Sequence, residues 1–160
     1  MNNLPKRKHL RLNHYDYSQP GAYFITICTS NKSNLFWIFD DQPIQTINDI
    51  KLSPEGIIVK QGIIQISSHY NNITVDKYCI MPDHIHLIIR IKSNENGQIN
   101  FSPAIPTVIG SLKRWISKQI GKPIWQKSYY DHCIRNQEDY NEKYKYIENN
   151  PYKYIYINNN

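Results

Sequence analysis

The stretch between residues 75 and 91 constrains the fold more than any other part of the chain. Residues 75–80 and 84–91 are rich in β-branched side chains, a composition typical of strands. Pro82 and Asp83 interrupt this run and leave room only for a tight turn between the two strands. Because parallel strands need a connection of about a dozen residues or more, these two strands must be antiparallel neighbours.

The remaining elements alternate around this antiparallel pair. Their predicted positions, in chain order, are a strand at 22–30, a small hairpin of 36–39 with 44–47, a helix at 54–68, a helix at 106–120, an extended segment at 129–134 and a helix at 137–150. Ser53 and Asn136 are suitable N-caps, and Gly121 and Pro151 mark the ends of the second and third helices. This order predicts an α+β fold that is ferredoxin-like, with helices packed on a mostly antiparallel sheet.

The composition predicts a single domain without a membrane-spanning segment. The 160 residues fit one domain at 1–160, with a basic N-terminal arm at 1–14, a polar loop at 92–100 and a frayed tail at 152–160. No stretch approaches the roughly 18–20 uncharged apolar residues of a membrane span. The three widely spaced cysteines argue against a disulfide framework and against a cysteine zinc site. We therefore expect a cytoplasmic protein.

His84 and His86 form the sharpest chemical motif in the chain. Alternate residues of a strand point to the same side, with Cβ atoms roughly 6.5–7 Å apart, so both imidazoles can converge on one divalent metal ion. The alternative is that one or both are ordinary surface or core histidines. The preceding Pro-Asp turn and the apolar character of the strand favour the metal site, because two polar rings on such a strand need a partner.

The predicted last helix supplies a candidate third ligand and a candidate nucleophile. Tyr146 and Asn150 are four residues apart and lie on the same side of the helix. An amide oxygen suits a hard cation such as Mg²⁺ or Mn²⁺, and a phenol can attack a phosphate that such a metal holds. The alternative for Tyr146 is packing, which applies to nearly all 13 tyrosines. Tyr129 and Tyr130 are rival nucleophiles, but an extended segment offers them no ligand one turn away.

Basic side chains are distributed as a nucleic-acid-binding protein requires. The formal net charge of +6 favours a polyanionic partner. The candidate DNA-binding residues are Lys6, Arg7, Lys8 and Arg11 in the arm, Lys113, Arg114, Lys118 and Lys122 on or just after the second helix, and Lys127 and Arg135 beyond it. For the helix taken alone, a solvated surface explains the charges about equally well.

Three blocks of sequence resemble one known family. Residues 78–89 (YCIMPDHIHLII) resemble the motif of the HUH single-strand DNA transposases, in which two histidines flank a hydrophobic residue. Residues 124–136 (IWQKSYYDHCIRN), followed by 146–151 (YIENNP), are similar to the C-terminal signature of the REP-associated tyrosine transposases, a branch of the insertion-sequence-200-like group. Residues 15–29 (YDYSQPGAYFITICT) resemble their first strand. The occurrence of all three blocks in this order and spacing is highly specific for this family.

The resemblance implies a role for each candidate residue. His84 and His86 match the metal-binding pair, and Asn150 matches the third metal ligand. Tyr146 matches the nucleophile, which forms a 5′-phosphotyrosine link and frees a 3′-OH. The family cleaves and rejoins single-stranded DNA, usually beside imperfect hairpins, and needs Mg²⁺ or Mn²⁺. The resemblance thus implies a nucleoid-associated DNA transposase with the ferredoxin-like fold, either a monomer or a homodimer.

The sequence alone is also compatible with a second nucleophile register and with two other functions. Tyr144 with Glu148 is a second register for the nucleophile and ligand, although the motif does not usually show an anionic ligand there. A domesticated relative would bind hairpin DNA or RNA without cutting it. A zinc hydrolase would use the histidine pair, but its third ligand is hard to find, and Asp83 on the turn is expected to point elsewhere.

Overall fold

The computed structural model describes residues 15–93 and 103–160, so the predicted arm at 1–14 and residues 94–100 of the predicted loop lie outside the described residues. The described ranges contain four strands and three α-helices: β1 Gly21–Cys28, α1 Pro54–His69, β2 Ile73–Ile80, β3 His84–Ile91, α2 Ile105–Ile120, β4 Tyr130–Cys133 and α3 Gln137–Asn159. No α-helix in these ranges is long and apolar enough to cross a membrane.

The four strands form one sheet in the order β2-β3-β1-β4. Each pair of neighbouring strands is antiparallel, and β3 lies between β2 and β1. This strand order and the alternation with helices confirm the predicted ferredoxin-like α+β fold. The pairing of Ile80 with Ile85 across the Pro-Asp turn confirms the antiparallel pair at the centre of the sequence.

One face of the sheet is an apolar core that α1 and α2 cover. Along β3, the side chains of Ile85, Leu87, Ile89 and Ile91 alternate onto this face and are buried. The two helices approach closely at Gly62, where a Cβ atom would lie 3.1 Å from side-chain atoms of both Leu112 and Ile116. We call this side of the sheet the apolar face.

The other side of the sheet carries His84, His86 and Arg90 and packs against α3, and we call it the histidine face. Polar contacts tie this helix to β2: Tyr140 donates a hydrogen bond of 2.9 Å to Asp76, which also forms an ion pair with Arg90. Alternation along β3 thus places the predicted chemistry on the opposite side from the main apolar core.

The helix α3 is longer than its sequence predicts. The sequence predicts an end at Pro151, near residue 150, and a frayed tail at 152–160, but the helix continues to Asn159. Proline removes one backbone donor, to Ile147, and this loss is offset because Pro151 and Ile155 are both buried against the fold. Both predictions are therefore wrong, for a reason that lies in tertiary packing.

The predicted hairpin of 36–39 with 44–47 is also wrong. Trp37 pairs instead with Leu52, and its indole Nε1 donates a 2.7 Å hydrogen bond to the carbonyl of Ile80. Ile47–Asp49 is a short 3₁₀ turn. The local apolar pattern could not reveal that Trp37 has its partners outside the predicted hairpin.

The predicted caps are confirmed. Ser53 Oγ accepts a 3.0 Å hydrogen bond from the backbone of Gly56 at the start of α1, and Asn136 accepts one of 2.8 Å from Asp139 at the start of α3. Gly121 ends α2 with a φ of 91°, a left-handed conformation that favours glycine.

Candidate active site

His84 and His86 lie together at the start of β3, on the histidine face. Their ring centroids are 4.7 Å apart, and the two rings are nearly perpendicular. His86 is only 4% exposed, whereas His84 is partly exposed. The alternation of the strand therefore brings the two imidazoles side by side, with one ring at the surface and one beneath it.

Each imidazole is held through its Nδ1 atom. Asp83 Oδ1 lies within hydrogen-bonding distance of His84 Nδ1, and Thr26 Oγ1 lies 2.7 Å from His86 Nδ1. The prediction that Asp83 points away from the histidine pair is therefore wrong. Hydrogen bonds from Nδ1–H to such partners leave Nε2 as the unprotonated nitrogen, which is the arrangement that metal-binding histidines use.

The Nε2 atom of His86 is buried and has no hydrogen-bond partner among the described residues. Burial, with a smaller contribution from the neighbouring His84, lowers the pKa of His86 to about 3. The ring is therefore neutral at physiological pH, and the tautomer with its proton on Nδ1 offers a lone pair at Nε2. Because an unpaired buried polar atom is costly, this nitrogen is a candidate ligand atom.

Tyr146 on α3 lies directly against the histidine pair. Its ring centroid is 5.2 Å from that of His86 and 5.8 Å from that of Phe24, and both contacts are edge-to-face. The side chain is nevertheless 48% exposed. Tyr144 is the candidate nucleophile of the alternative register. Its ring lies next to Lys77, whose Nζ atom is 4.6 Å from the ring centre.

Asn150 lies one turn beyond Tyr146 on the same side of α3. One turn further again is Tyr154, whose pKa is raised by burial and, to a smaller extent, by the carboxylate of Asp83. Asn150 therefore lies between Tyr146, whose ring contacts His86, and Tyr154 along the helix. Within the part of the chain that the structure describes, the Nδ2 atom of Asn150 is buried without a hydrogen-bond partner.

These residues fit a hard divalent cation. The candidate donors are the two imidazole Nε2 atoms and the amide oxygen of Asn150. No group of three or more His, Cys, Asp or Glu side chains is placed to hold a metal in residues 15–93 and 103–160. An amide oxygen such as that of Asn150 is a ligand type that suits Mg²⁺ or Mn²⁺.

Tyr130 joins the site through strand pairing. It lies opposite Thr26 in the β1–β4 ladder and so shares the face of His86, and its exposed ring is 6.4 Å from that of Phe24. Its neighbour Tyr129 is buried. The sequence alone does not bring Tyr130 to the histidine pair, because its proximity depends on the register in which β4 pairs with β1.

A charged cluster that the sequence did not assign lies beside Tyr146. His132 Nε2 is 2.7 Å from Asp139, which also forms a longer ion pair of 3.8 Å with Lys143. Partial burial opposes ionisation of Asp139, but hydrogen bonds from His132 and from a backbone N–H hold its pKa below the usual value. Lys143 Nζ lies 6.0 Å from the centre of the Phe24 ring, which places a cation near the tyrosine.

The candidate DNA-binding residues are dispersed. Lys113 donates hydrogen bonds of 2.6 and 3.4 Å to the carbonyls of Gln126 and Lys127, so it links α2 to the segment before β4. The exposed candidates are Arg114, Lys118, Lys122, Lys127 and Arg135. Lys127 follows Gln126, whose backbone bonds Cys28 at the end of the sheet where His84 lies. Lys6, Arg7, Lys8 and Arg11 lie outside the described residues.

Comparison with known proteins finds several relatives of this chain. No family model matches the chain. An uncharacterised protein of Haemophilus influenzae is 34% identical, with 91% of this chain and 88% of that protein covered. A REP-associated tyrosine transposase of Escherichia coli is 29% identical, with 88% and 72% covered. The solved structure of a REP-associated tyrosine transposase bound to a REP hairpin shares the fold, with a TM-score of 0.60 at 21% identity over 90% of this chain and 73% of that one. Over about 90% of its length, the chain is therefore similar to proteins named REP-associated tyrosine transposases.

Proposed function

We propose that the chain is a DNA transposase that binds single-stranded DNA beside imperfect hairpins and cleaves and rejoins it through Tyr146. The observation that carries the proposal is the contact between the rings of Tyr146 and His86, whose Nε2 is buried without a partner in the described structure. Two further facts support it: a relative carries the name transposase, and the solved neighbour is bound to a REP hairpin.

His84, His86 and Asn150 are the residues that would hold Mg²⁺ or Mn²⁺. Asp83 and Thr26 fix the two imidazoles through Nδ1, so the rings stay aimed in one direction. When bound, the cation would polarise the scissile phosphate and stabilise the charge that develops on it. The burial of His86 keeps its ring neutral, as a ligand must be.

Tyr146 would attack the phosphorus atom with its phenolic oxygen. The phenol gives up its proton as a bond forms between its oxygen and the 5′-phosphate, the bond from phosphorus to the 3′ oxygen breaks, and the 3′ oxygen leaves as a hydroxyl after taking up a proton. The reverse reaction with another 3′-OH rejoins the strand and frees the tyrosine. Partial exposure of Tyr146 supports access by a DNA strand, and its contacts with Phe24 and His86 restrict the ring.

The test is the formation of a covalent adduct with an end-labelled hairpin oligonucleotide that carries single-stranded flanks, resolved on a denaturing gel with Mn²⁺ present. Tyr146→Phe removes one oxygen atom and is expected to abolish the adduct. Tyr144→Phe is the matched control, because this tyrosine is two residues away and contacts Lys77 instead of the histidines. An adduct that persists in Tyr146→Phe would mean that the nucleophile is a different residue.

The metal dependence is tested in the same assay. Chelation with EDTA, or substitution of His84 or His86 by alanine, is expected to remove the adduct while the hairpin still binds. Hairpin binding by the unmodified chain without any adduct, in both Mg²⁺ and Mn²⁺, would favour a domesticated DNA- or RNA-binding protein instead.

A further inference from the structure

The outer surface of α3 changes character at Tyr146. Before it, the exposed acidic side chains are Glu138 and Glu142, of which Glu142 lies 3.7 Å from Lys143 Nζ. After it, the chain to residue 160 contains one carboxylate, Glu148, which forms an ion pair of 3.5 Å with Lys77 of β2. The helix surface beyond the candidate nucleophile is therefore free of unpaired acidic groups among the described side chains.

Two tyrosines on this second half of α3 are strongly exposed. Tyr152 is 53% and Tyr156 is 72% exposed, and they lie one turn apart. Tyrosines on the inner side of the same helix behave differently: Tyr140 donates to Asp76, and Tyr154 packs edge-to-face on Trp37 at 5.2 Å. Packing within the described fold therefore accounts for the inner tyrosines and leaves the outer two unexplained.

The exposed tyrosines lie among amides and lysines. One stripe at helical spacing is Lys145, Asn149, Tyr152 and Tyr156, and all four residues are exposed. The adjacent stripe runs from Tyr146 through Asn149 to Lys153, which is also exposed. We call Tyr146, Asn149 and the exposed residues Lys145, Tyr152, Lys153 and Tyr156 the outer α3 surface. It is continuous with the candidate nucleophile, and its two cations lie beside aromatic rings.

We infer that the outer α3 surface binds the single-stranded DNA that extends from the phosphate attacked by Tyr146. Tyr152 and Tyr156 stack on bases, and Lys145 and Lys153 contact phosphates. The inference rests on the proposed function. Exposed aromatic rings that alternate with cations fit a single strand of any sequence, because every base has a face on which a ring can stack. Tyr152 and Tyr156 both lie beyond Tyr146 in the helix, so the path runs from Tyr146 towards the C-terminal end of α3.

The test measures the affinity for a labelled dT12 oligonucleotide, in EDTA so that cleavage does not intervene. The double variant Tyr152→Ala/Tyr156→Ala is expected to bind about a hundredfold more weakly, roughly tenfold for each tyrosine. Tyr152→Phe/Tyr156→Phe retains both rings and should bind as the unmodified chain does. Ile64→Ala, an exposed apolar side chain on α1, is the matched control and should leave the affinity unchanged.

The roles of Lys145 and Lys153 are tested by the salt dependence of dT12 binding. Lys145→Gln/Lys153→Gln removes two phosphate contacts, so the slope of log K against log salt concentration should become shallower by about 1.4. Unchanged dT12 affinity in the double alanine variant would overturn the inference. Concentration-dependent self-association that only this variant loses, with dT12 affinity retained, would assign the surface to a second copy and overturn it as well.

The outcomes separate this inference from the proposed function. If the double alanine variant keeps its dT12 affinity while the unmodified chain forms the Tyr146 adduct, the outer α3 surface is misassigned and the transposase chemistry stands. If dT12 binding depends on Tyr152 and Tyr156 but no adduct forms at all, the DNA path stands and the proposed cleavage fails.

Discussion

The two faces of the sheet carry different kinds of side chain, although the same four strands form both. On the apolar face, β3 contributes Ile85, Leu87 and Ile89, which are fully buried beneath α1 and α2. On the histidine face, the same strand contributes His86, whose Nε2 lacks a partner within the described ranges. Burial of apolar area stabilises the fold, whereas an unpaired polar atom destabilises it. The difference agrees with the proposal that the histidine face carries the chemistry.

This contrast also explains why α3 is polar where it meets the sheet. Its anchors are hydrogen bonds and ion pairs to β2, together with a few buried residues such as Ile147 and Pro151. Substitutions on the apolar face should therefore change the free energy of unfolding, whereas substitutions around the histidines should change metal binding.

The largest effect is expected from the apolar face. Leu87→Ala removes buried methyl groups and leaves a cavity, so the free energy of unfolding should fall by about 2–5 kcal/mol. Urea denaturation measures this change. Ile64→Ala, at an exposed position, should change it by no more than about 0.5 kcal/mol. A Leu87→Ala loss as small as that of Ile64→Ala would remove the distinction between the two faces.

The second-largest effect is expected on the affinity for Mn²⁺. Thr26→Val removes the hydrogen bond to Nδ1 of His86, so the affinity for Mn²⁺ should fall about 10- to 100-fold, as measured by titration calorimetry. Thr74→Val, which removes a hydrogen bond to Asp76 on β2, is the matched control and should leave Mn²⁺ affinity unchanged. Equal Mn²⁺ affinity in both variants would show that Thr26 does not orient a metal ligand.

A smaller effect is expected where α3 is anchored to β2. Tyr140→Phe removes the hydrogen bond to Asp76, and the free energy of unfolding should fall by about 1 kcal/mol. Mn²⁺ affinity should not change, because Tyr140 lies about 1.7 turns before Tyr146. A loss of metal affinity without a loss of stability would contradict the division between anchoring and chemistry.

The smallest effect is expected at the surface of the same helix. Glu148→Gln breaks an exposed ion pair with Lys77, and such pairs contribute from zero to about 1 kcal/mol, so the melting temperature should hardly move. Adduct formation should also persist. If Glu148→Gln abolished the adduct, Glu148 would be the third ligand and Tyr144 the candidate nucleophile of the alternative register.

The sequence predicts those features that follow from local rules. The caps Ser53 and Asn136, the turn before His84 and the alternation along β3 are all local, and the structure agrees with each of them. The continuation of α3 beyond Pro151 was missed, because burial of Pro151 outweighs the lost backbone hydrogen bond.

The surroundings of the candidate site depend on contacts that are distant in sequence. Helical spacing predicts that Tyr146 and Asn150 share one side of α3, but the position of that side against His86 is a property of the packed fold. Thr26 and Tyr130 enter the site only through the registers of β1 with β3 and of β4 with β1. No pattern within one segment reveals such registers.

The central claim is that Tyr146 becomes covalently linked to DNA, and peptide mass spectrometry tests it most directly. The unmodified chain is incubated with a hairpin oligonucleotide and Mn²⁺, then digested with protease and nuclease, and the site of the remaining nucleotide is located by fragmentation. The account predicts a nucleotide phosphate on Tyr146 alone. A modification on Tyr130 or Tyr144 instead, with Tyr146 unmodified, would contradict it.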